Sequence, residues 1–497
     1  MSVLDTPDAP DAPDAPDTSE VLRSAGTSMT RTRIRAGGAV VSVTPPGSTT
    51  RATTILASLA VFLIALEMTI ISVALPEIEA AFVGSSRATL SWIFTAYNVG
   101  VASLLLIGGW LAERFGRKRV FLIGLAIFAG GSVLSGLAPG VELLISGRAI
   151  QAVGGALLLP ASLALILHTV ADDKRDAAIG VWGSMAGLAA AIGPTLGGLL
   201  VQYAGWRWVF LVNVPIALGA LVFGRSLLTE ARDPNAPRTV DFLAVPTGAA
   251  GTGLLVFAIV AAGAVGLLER VVVVSLIAAA VLLLTFVRRS VRHPNPVFPP
   301  AMLTSRSYRV GLVGTGLFAA AFAGWLVLAP TFLVEMWDYS VLRAGFAISP
   351  APLAMAITAG PAGKLAHRIG YRKLIAIGCL APVAAVVWWT VFVDQSPNYL
   401  VGYLPGAIMM GAGVGVGFPM LTAASMRDVA PARYAIGAAG NTTMRQVAMA
   451  LGISGAIAIV GSTGASLTAF QTSWMLCGAL ALATSAVVAL RYPGGST

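Results

Sequence analysis

The ten residues Gly109-Trp110-Leu111-Ala112-Glu113-Arg114-Phe115-Gly116-Arg117-Lys118 govern the reading of the whole chain. They form a charged turn between two apolar stretches. A weaker echo, Gly363-Lys364-Leu365-Ala366-His367-Arg368-Ile369-Gly370-Tyr371-Arg372, lies in the far half. At 1.5 Å per residue, about 20 apolar residues cross a hydrocarbon core of about 30 Å. Runs of that length precede and follow both turns and place spans at 53–75, 88–111, 118–138, 142–168, 176–203, 206–228, 241–264, 270–288, 310–334, 343–365, 373–393, 399–424, 434–462 and 467–490. The first turn follows span 2 and the echo follows span 10. Span 10 is the second member of a second set of six, and equivalent placement in two halves is a mark of internal duplication.

The expected architecture is therefore an all-α integral membrane fold with fourteen spans. A six-helix bundle occupies 51–228 and a two-helix insert 241–288. A linker over 289–309 carries Pro294, Pro296, Pro299 and Pro300, and a second six-helix bundle follows over 310–490. Charge asymmetry supports this count independently. With the N-terminal segment in the cytoplasm, 26 of the 32 Lys and Arg fall inside, four outside (Arg87, Arg207, Arg270, Arg343) and two within spans (Arg148, Arg445). An odd number of spans would scramble that contrast. Both termini are thus expected in the cytoplasm. Residues 1–50, with their Asp-Ala-Pro repeat at 8–16 and no apolar run, read as a disordered cytoplasmic tail.

Composition agrees. Of 497 residues, 57% are hydrophobic and 11% charged, against about 45–50% and about 25% in soluble domains. The net charge of +10 sits in short loops, so it implies orientation in a membrane and no nucleic-acid partner. Cys379 and Cys477 lie far apart in apolar segments, which suits packing and argues against a disulfide or a metal site. No metal and no cofactor is expected.

Further motifs stand on the spans. They are Glu67-Met68-Thr69-Ile70 leading to Ala74-Leu75-Pro76 in span 1, Arg148-Ala149-Ile150-Gln151 in span 4 and Gly193-Pro194-Thr195-Leu196-Gly197-Gly198 in span 5. Trp206-Arg207-Trp208-Val209-Phe210-Leu211-Val212-Asn213-Val214-Pro215 opens span 6, and Asn441 with Arg445-Gln446 lies in span 13. Together with the 109–118 turn, and over about 53–490, the chain resembles the major facilitator superfamily, within it the drug:proton antiporters with fourteen spanning helices. The resemblance implies proton-coupled export of hydrophobic drugs or other small molecules by alternating access, or dedicated export of one natural product. It also implies a monomer in a bacterial inner (plasma) membrane. The sequence departs from the family pattern at Glu67 and Glu113, where aspartate is usual, and at Ala152, where glycine is usual.

Ionisable groups inside a span are costly and mark function. Glu67 lies eight residues below the outer end of span 1 and Arg148 seven below that of span 4, about 12 and about 10 Å deep. Equal depth predicts a shared cavity and a proton-coupling pair. A static ion pair that only fixes packing is the alternative. Gln151, one turn below Arg148, can orient the arginine or a ligand. Tyr97, Asn98, Asn441 and Arg445 are expected to line the substrate cavity with Gln151, and Trp92, Phe318, Phe322 and Trp325 are aromatic candidates beside them. Arg445, near mid-membrane, can bond backbone carbonyls, reach Glu67, or meet an anionic part of the substrate. Two groups are expected to gate. One is the turn residues Gly109, Glu113, Arg114, Gly116 and Arg117, with Glu113 pairing with nearby cations and a helix N-terminus. The other is the small face of span 5 at Gly193, Pro194, Gly197 and Gly198. His168, His293 and His367 read as solvated. Absence of a phosphate-binding GxxxxGK[ST] loop argues against an ATP-driven pump, and no nucleophile, base and metal-ligand set suggests an enzyme.

Overall fold

The structure, a computed structural model, describes residues 32–36, 39–43, 46–231, 241, 243–463 and 466–493. Fourteen principal helices follow one another: α1 (Pro46–Ala81), α2 (Arg87–Phe115), α3 (Arg117–Gly136), α4 (Val141–Thr169), α5 (Asp172–Ala204), α6 (Asn213–Leu227, entered through the turn Trp208–Leu211), α7 (Ala244–Val265), α8 (Arg270–Arg292), α9 (Arg306–Glu335), α10 (Pro350–Ile369, preceded by Val341–Ile348), α11 (Tyr371–Phe392), α12 (Leu404–Met426), α13 (Tyr434–Thr463) and α14 (Leu467–Arg491). Serine hydroxyls cap several starts, with Ser86 accepting from the Thr89 amide at 3.1 Å and Ser305 from Tyr308 at 3.3 Å.

Thirteen helices among the described residues are long and apolar enough to cross a bilayer. The exception is α10. Pro350 lacks an N–H, which interrupts the hydrogen-bond ladder after Ile348, and Lys364, His367 and Arg368 lower the hydropathy of the longer piece. It nevertheless packs along α5 and α12. The expected tail falls largely on residues outside those described. Within it, Thr32–Ala36 pairs antiparallel with Ala39–Val43, a hairpin where none was expected.

The packing repeats at an offset of eight helices. In the first set, α2 packs on α4, α3 on α4 and α3 on α6. In the second, α10 packs on α12, α11 on α12 and α11 on α14. Contacts between the sets obey the same rule, since α2 on α13 is mirrored by α10 on α5, and α4 on α13 by α12 on α5. The inserted α7 breaks the symmetry by packing on both α2 and α13. Ser454 Oγ donates to the Ile259 carbonyl at 2.7 Å, and Trp92 stacks on Phe257 at 5.8 Å. Trp92 thus serves the insert. Asp241 ties α7 to α8, taking Arg289 in a fork at 2.6–3.0 Å and accepting the Ala244 amide at 3.0 Å. Burial alone would raise its carboxyl pKa, but these bonds and the guanidinium charge hold it below the ordinary value.

Candidate functional site: a sealed ion pair and two interlocked turns

Helix α4 is buried over most of its surface, so a charge on it must find partners inside the protein. Arg148 finds four. Its Nη1 donates to Glu67 Oε1 and to Gln151 Oε1, the latter at 2.8 Å, while Nε donates to the Ile93 carbonyl at 3.0 Å. The Tyr97 ring lies 4.3 Å from the guanidinium carbon. Asn213 Nδ2 donates to the second carboxylate oxygen of Glu67, and Gln151 passes its own amide hydrogen to Ser132 Oγ at 2.8 Å. Glu67 is 0% exposed and Arg148 1%. Each carboxylate oxygen therefore holds one donor, and a proton arriving here competes with the Arg148 charge for the same carboxylate. The equal depth of the pair was legible in the sequence. Asn213 belonged to a motif noted at the head of span 6, but its side chain received no role there; a polar residue inside an apolar helix was the available signal.

Three expected cavity residues take other places. Gln151 and Tyr97 belong to the buried shell around Arg148. Asn441 is buried and stitches α13 to α9 and α12 through Thr315 Oγ1 at 3.0 Å and Ser425 Oγ at 3.2 Å. Each is held by the charge or hydroxyls beside it, which leaves it unavailable to a ligand here. Asn98 bonds the Phe94 carbonyl of its own helix at 3.1 Å and is partly accessible. Phe318 and Trp325 are buried, with Phe322 half-buried between them. Among the described residues Arg445 forms no ion pair with Glu67.

The two turns interlock the sets of helices at one end. Gly116 and Gly370 close α2 and α10 at φ of 104° and 80°, a backbone that residues with a Cβ rarely adopt. Glu113 Oε1 accepts the Ile436 amide at 2.9 Å in the first turn of α13, and Arg433 stands 3.6 Å from Oε2. Arg117 donates to the Pro431 carbonyl at 2.7 Å. Glu113 thus meets a helix N-terminus and the charges of Arg433, more than 300 residues away in sequence, and of its neighbour Arg117. Arg114 packs over Trp110 and Phe115, each at 5.6 Å. Lys118 donates to the Arg225 and Leu228 carbonyls, both at 2.7 Å. Glu230, unforeseen, accepts the amides of Lys118 and Arg119 at 3.1 Å each, capping α3.

In the echo, His367 occupies the place of Glu113 and Tyr371 that of Arg117. Both meet Asp176 in α5: Tyr371 donates to Oδ1, and His367 Nε2 lies 3.5 Å from Oδ2. His367 keeps 44% of its side chain exposed, in line with the solvated reading, and also stands beside the Asp176 carboxylate. The polarity is reversed between the two locks. In the first the acid is on the turn and the cation before the facing helix; in the second the acid is on the facing helix.

On α5, a Cβ at Gly193 would overlap Thr69 Oγ1, and one at Gly197 would come 3.0 Å from Ile70 Cγ1, so both glycines seat α5 on α1 beside Glu67. Pro194 lies within the helix between them. Gly198 faces open space and makes no such contact, because it lies about 100° around the helix from Gly197. Gly193→Val is expected to cut transport at least about tenfold through overpacking of about 1–3 kcal/mol. Gly198→Ala should stay within about twofold of wild type, the ordinary range for a side chain added to open space. Dye efflux at matched membrane levels compares the two, and equal effects would remove the α1–α5 contact from the mechanism.

A duplicated helical bundle with an ion pair sealed inside a span defines a membrane transport protein built from two halves. The chain belongs to the major facilitator superfamily, whose description matches residues 57–453. It is 34% identical to the puromycin resistance protein pur8 of Streptomyces alboniger over 408 residues, 81% of this chain and 80% of that protein. It is 34% identical to the tetracenomycin C resistance and export protein of Streptomyces glaucescens, over 66% of this chain and 61% of that one. A multidrug resistance protein B homolog of Mycobacterium tuberculosis is 28% identical over 86% and 77%. Among solved structures, the human organic anion transporter MFSD10 superposes with a TM-score of 0.65 at 17% identity, over 88% of this chain and 99% of that one. The proton:xylose symporter XylE gives 0.63 at 16%, over 89% and 95%.

Proposed function

We propose that this chain exports hydrophobic drugs or other small molecules in exchange for protons by alternating access, with Glu67 as the proton carrier. The observation that carries this reading is the Glu67 carboxylate, fully buried within the membrane-spanning bundle and held by Arg148 and Asn213. A carboxylate placed there at this cost suits a group that changes charge during a cycle. When the bundle opens toward the outside, water reaches the pair, Arg148 stays with Gln151 and the Ile93 carbonyl, and Glu67 takes a proton. Reversal toward the inside restores the pair and releases the proton.

On the same reading all fourteen helices span, both termini lie in the cytoplasm of a bacterial plasma membrane, and the protein works as a monomer. The bundles over 51–228 and 310–490 then rock about the insert over 241–288 and the linker over 289–309. The interlocked turns close the cytoplasmic end. The relatives named for resistance support export as the direction. A second reading, dedicated export of one natural product, is favoured by the two relatives named for a single antibiotic each.

The experiment is efflux of ethidium and of a panel of antibiotics from cells carrying the protein, with and without a protonophore. Proton-coupled export predicts that the protonophore stops whatever efflux is seen. Efflux of one panel member alone would select the dedicated exporter, and protonophore-resistant efflux would overturn proton coupling.

A further inference from the structure

Arg445 differs from every other arginine inside a span. Arg148 is fully engaged, whereas among the described residues Arg445 forms no ion pair and no hydrogen bond. Its one recorded partner is the Phe418 ring, 5.8 Å from the guanidinium carbon. It lies 11 residues into α13, deep among protein atoms, yet it keeps partial accessibility. Those two facts set it among protein atoms with part of its surface still open. Phe418 belongs to α12, whose neighbours are α5, α9, α10, α11 and α13 itself, so the ring sets the guanidinium on the side of α13 that faces α12. Phe322 meets Phe418 edge-on at 5.6 Å and Phe318 does so at 5.1 Å, giving an aromatic floor under one open cation.

An unpaired guanidinium far from bulk water is unfavourable unless something pairs with it. None of the carboxylates in the structure's ion pairs goes to Arg445. Glu67 is held by Arg148 and Asn213, Glu113 by Arg433 and the Ile436 amide, and Asp176 by Tyr371 and His367. The missing partner is then brought by the ligand. A planar fork of donors matches a carboxylate or an ionised phenol, and the adjacent ring faces suit a flat conjugated body.

We propose that Arg445 is the anion-recognising residue of the substrate cavity, and that the chain takes aromatic organic acids, the acid on Arg445 and the ring system against Phe418 and Phe322. This rests on the reading of the chain as a small-molecule exporter and narrows its substrate class.

The test uses the purified full chain in detergent, with carboxyfluorescein as anionic probe and ethidium as cationic probe, binding followed by fluorescence polarisation. Loss of a charge-assisted contact should weaken carboxyfluorescein binding by about tenfold or more in Arg445→Gln. Ethidium binding, if present, should move less than about twofold, the range of a site that does not use the residue. Arg445→Lys, which keeps the charge, should lie between the two. In the wild type alone, naphthoate should displace carboxyfluorescein and the uncharged naphthamide should not, a readout independent of any variant's folding. Carboxyfluorescein bound equally by Arg445→Gln, displacement by both naphthalene compounds, or no carboxyfluorescein binding at all would each overturn the proposal. Protonophore-sensitive ethidium efflux without carboxyfluorescein binding removes this inference and leaves the transport reading. Arginine-dependent carboxyfluorescein binding in a chain with no proton-driven efflux does the reverse.

Discussion

Glu67→Gln is expected to lose all proton-driven accumulation while still exchanging substrate for substrate. A gradient of about one pH unit stores about 1.4 kcal/mol per proton, so a one-for-one exchanger in everted vesicles can sustain about tenfold accumulation. A carrier without the titrating group has no link to that gradient, and its accumulation ratio should fall to about one. The geometry also predicts that the variant folds. Glutamine keeps an oxygen for Arg148, and Asn213, whose Oδ1 has no partner, can turn its amide to accept from the new NH2 group. Arg148 retains Gln151, the Ile93 carbonyl and the Tyr97 ring. The stability cost should therefore stay at or below about 3 kcal/mol, the lower edge for orphaning a buried charge. Arg148→Gln added to Glu67→Gln should recover part of that cost without restoring accumulation. Accumulation retained in the single variant would move proton coupling elsewhere, and thermal unfolding in detergent separates that result from misfolding.

The parts legible in the sequence share one property: they depend on local pattern. Span lengths, the inside excess of arginine, the duplicated turns and the equal depth of Glu67 and Arg148 all follow from distance along one helix. Partners across the fold were not legible. Nothing near Glu113 announces Arg433, and nothing near His367 announces Asp176, because those meetings are set by how two bundles close on each other. A soluble helix would have marked its inward face by polarity. Here both faces are apolar, so Asn441 and Tyr97 looked as free for a cavity as Arg445 does. In helix α10 the length reads as a span, while Pro350 interrupts it and its charges keep it out of the set of plainly apolar helices.

The reversed polarity of the two locks leads to the second large effect. A Cβ at Gly109 would stand 2.6 Å from Ala439 Cβ and 2.7 Å from the Ala435 carbonyl oxygen, and one at Gly363 would overlap the Asp176 carbonyl. The glycines let α2 meet α13 and α10 meet α5 in backbone contact, and the polar groups of each lock are in reach only at that separation. Gly109→Leu is thus a wedge against the closed end and leaves the Glu67 pair untouched. Overpacking of about 1–3 kcal/mol shifts a two-state equilibrium by about five- to 150-fold toward the state open at that end. A single cysteine at Ala435, buried here, in a chain with Cys379 and Cys477 replaced by alanine, reports the change. A membrane-impermeant maleimide applied to everted vesicles should label it slowly in the unwedged protein and about tenfold faster or more with Gly109→Leu, with export lost in parallel. Gly363→Leu should raise labelling at the same cysteine, because one rigid closure carries both locks. Labelling raised by Gly109→Leu alone would mean that the α2–α13 contact opens locally and that the halves do not move as units.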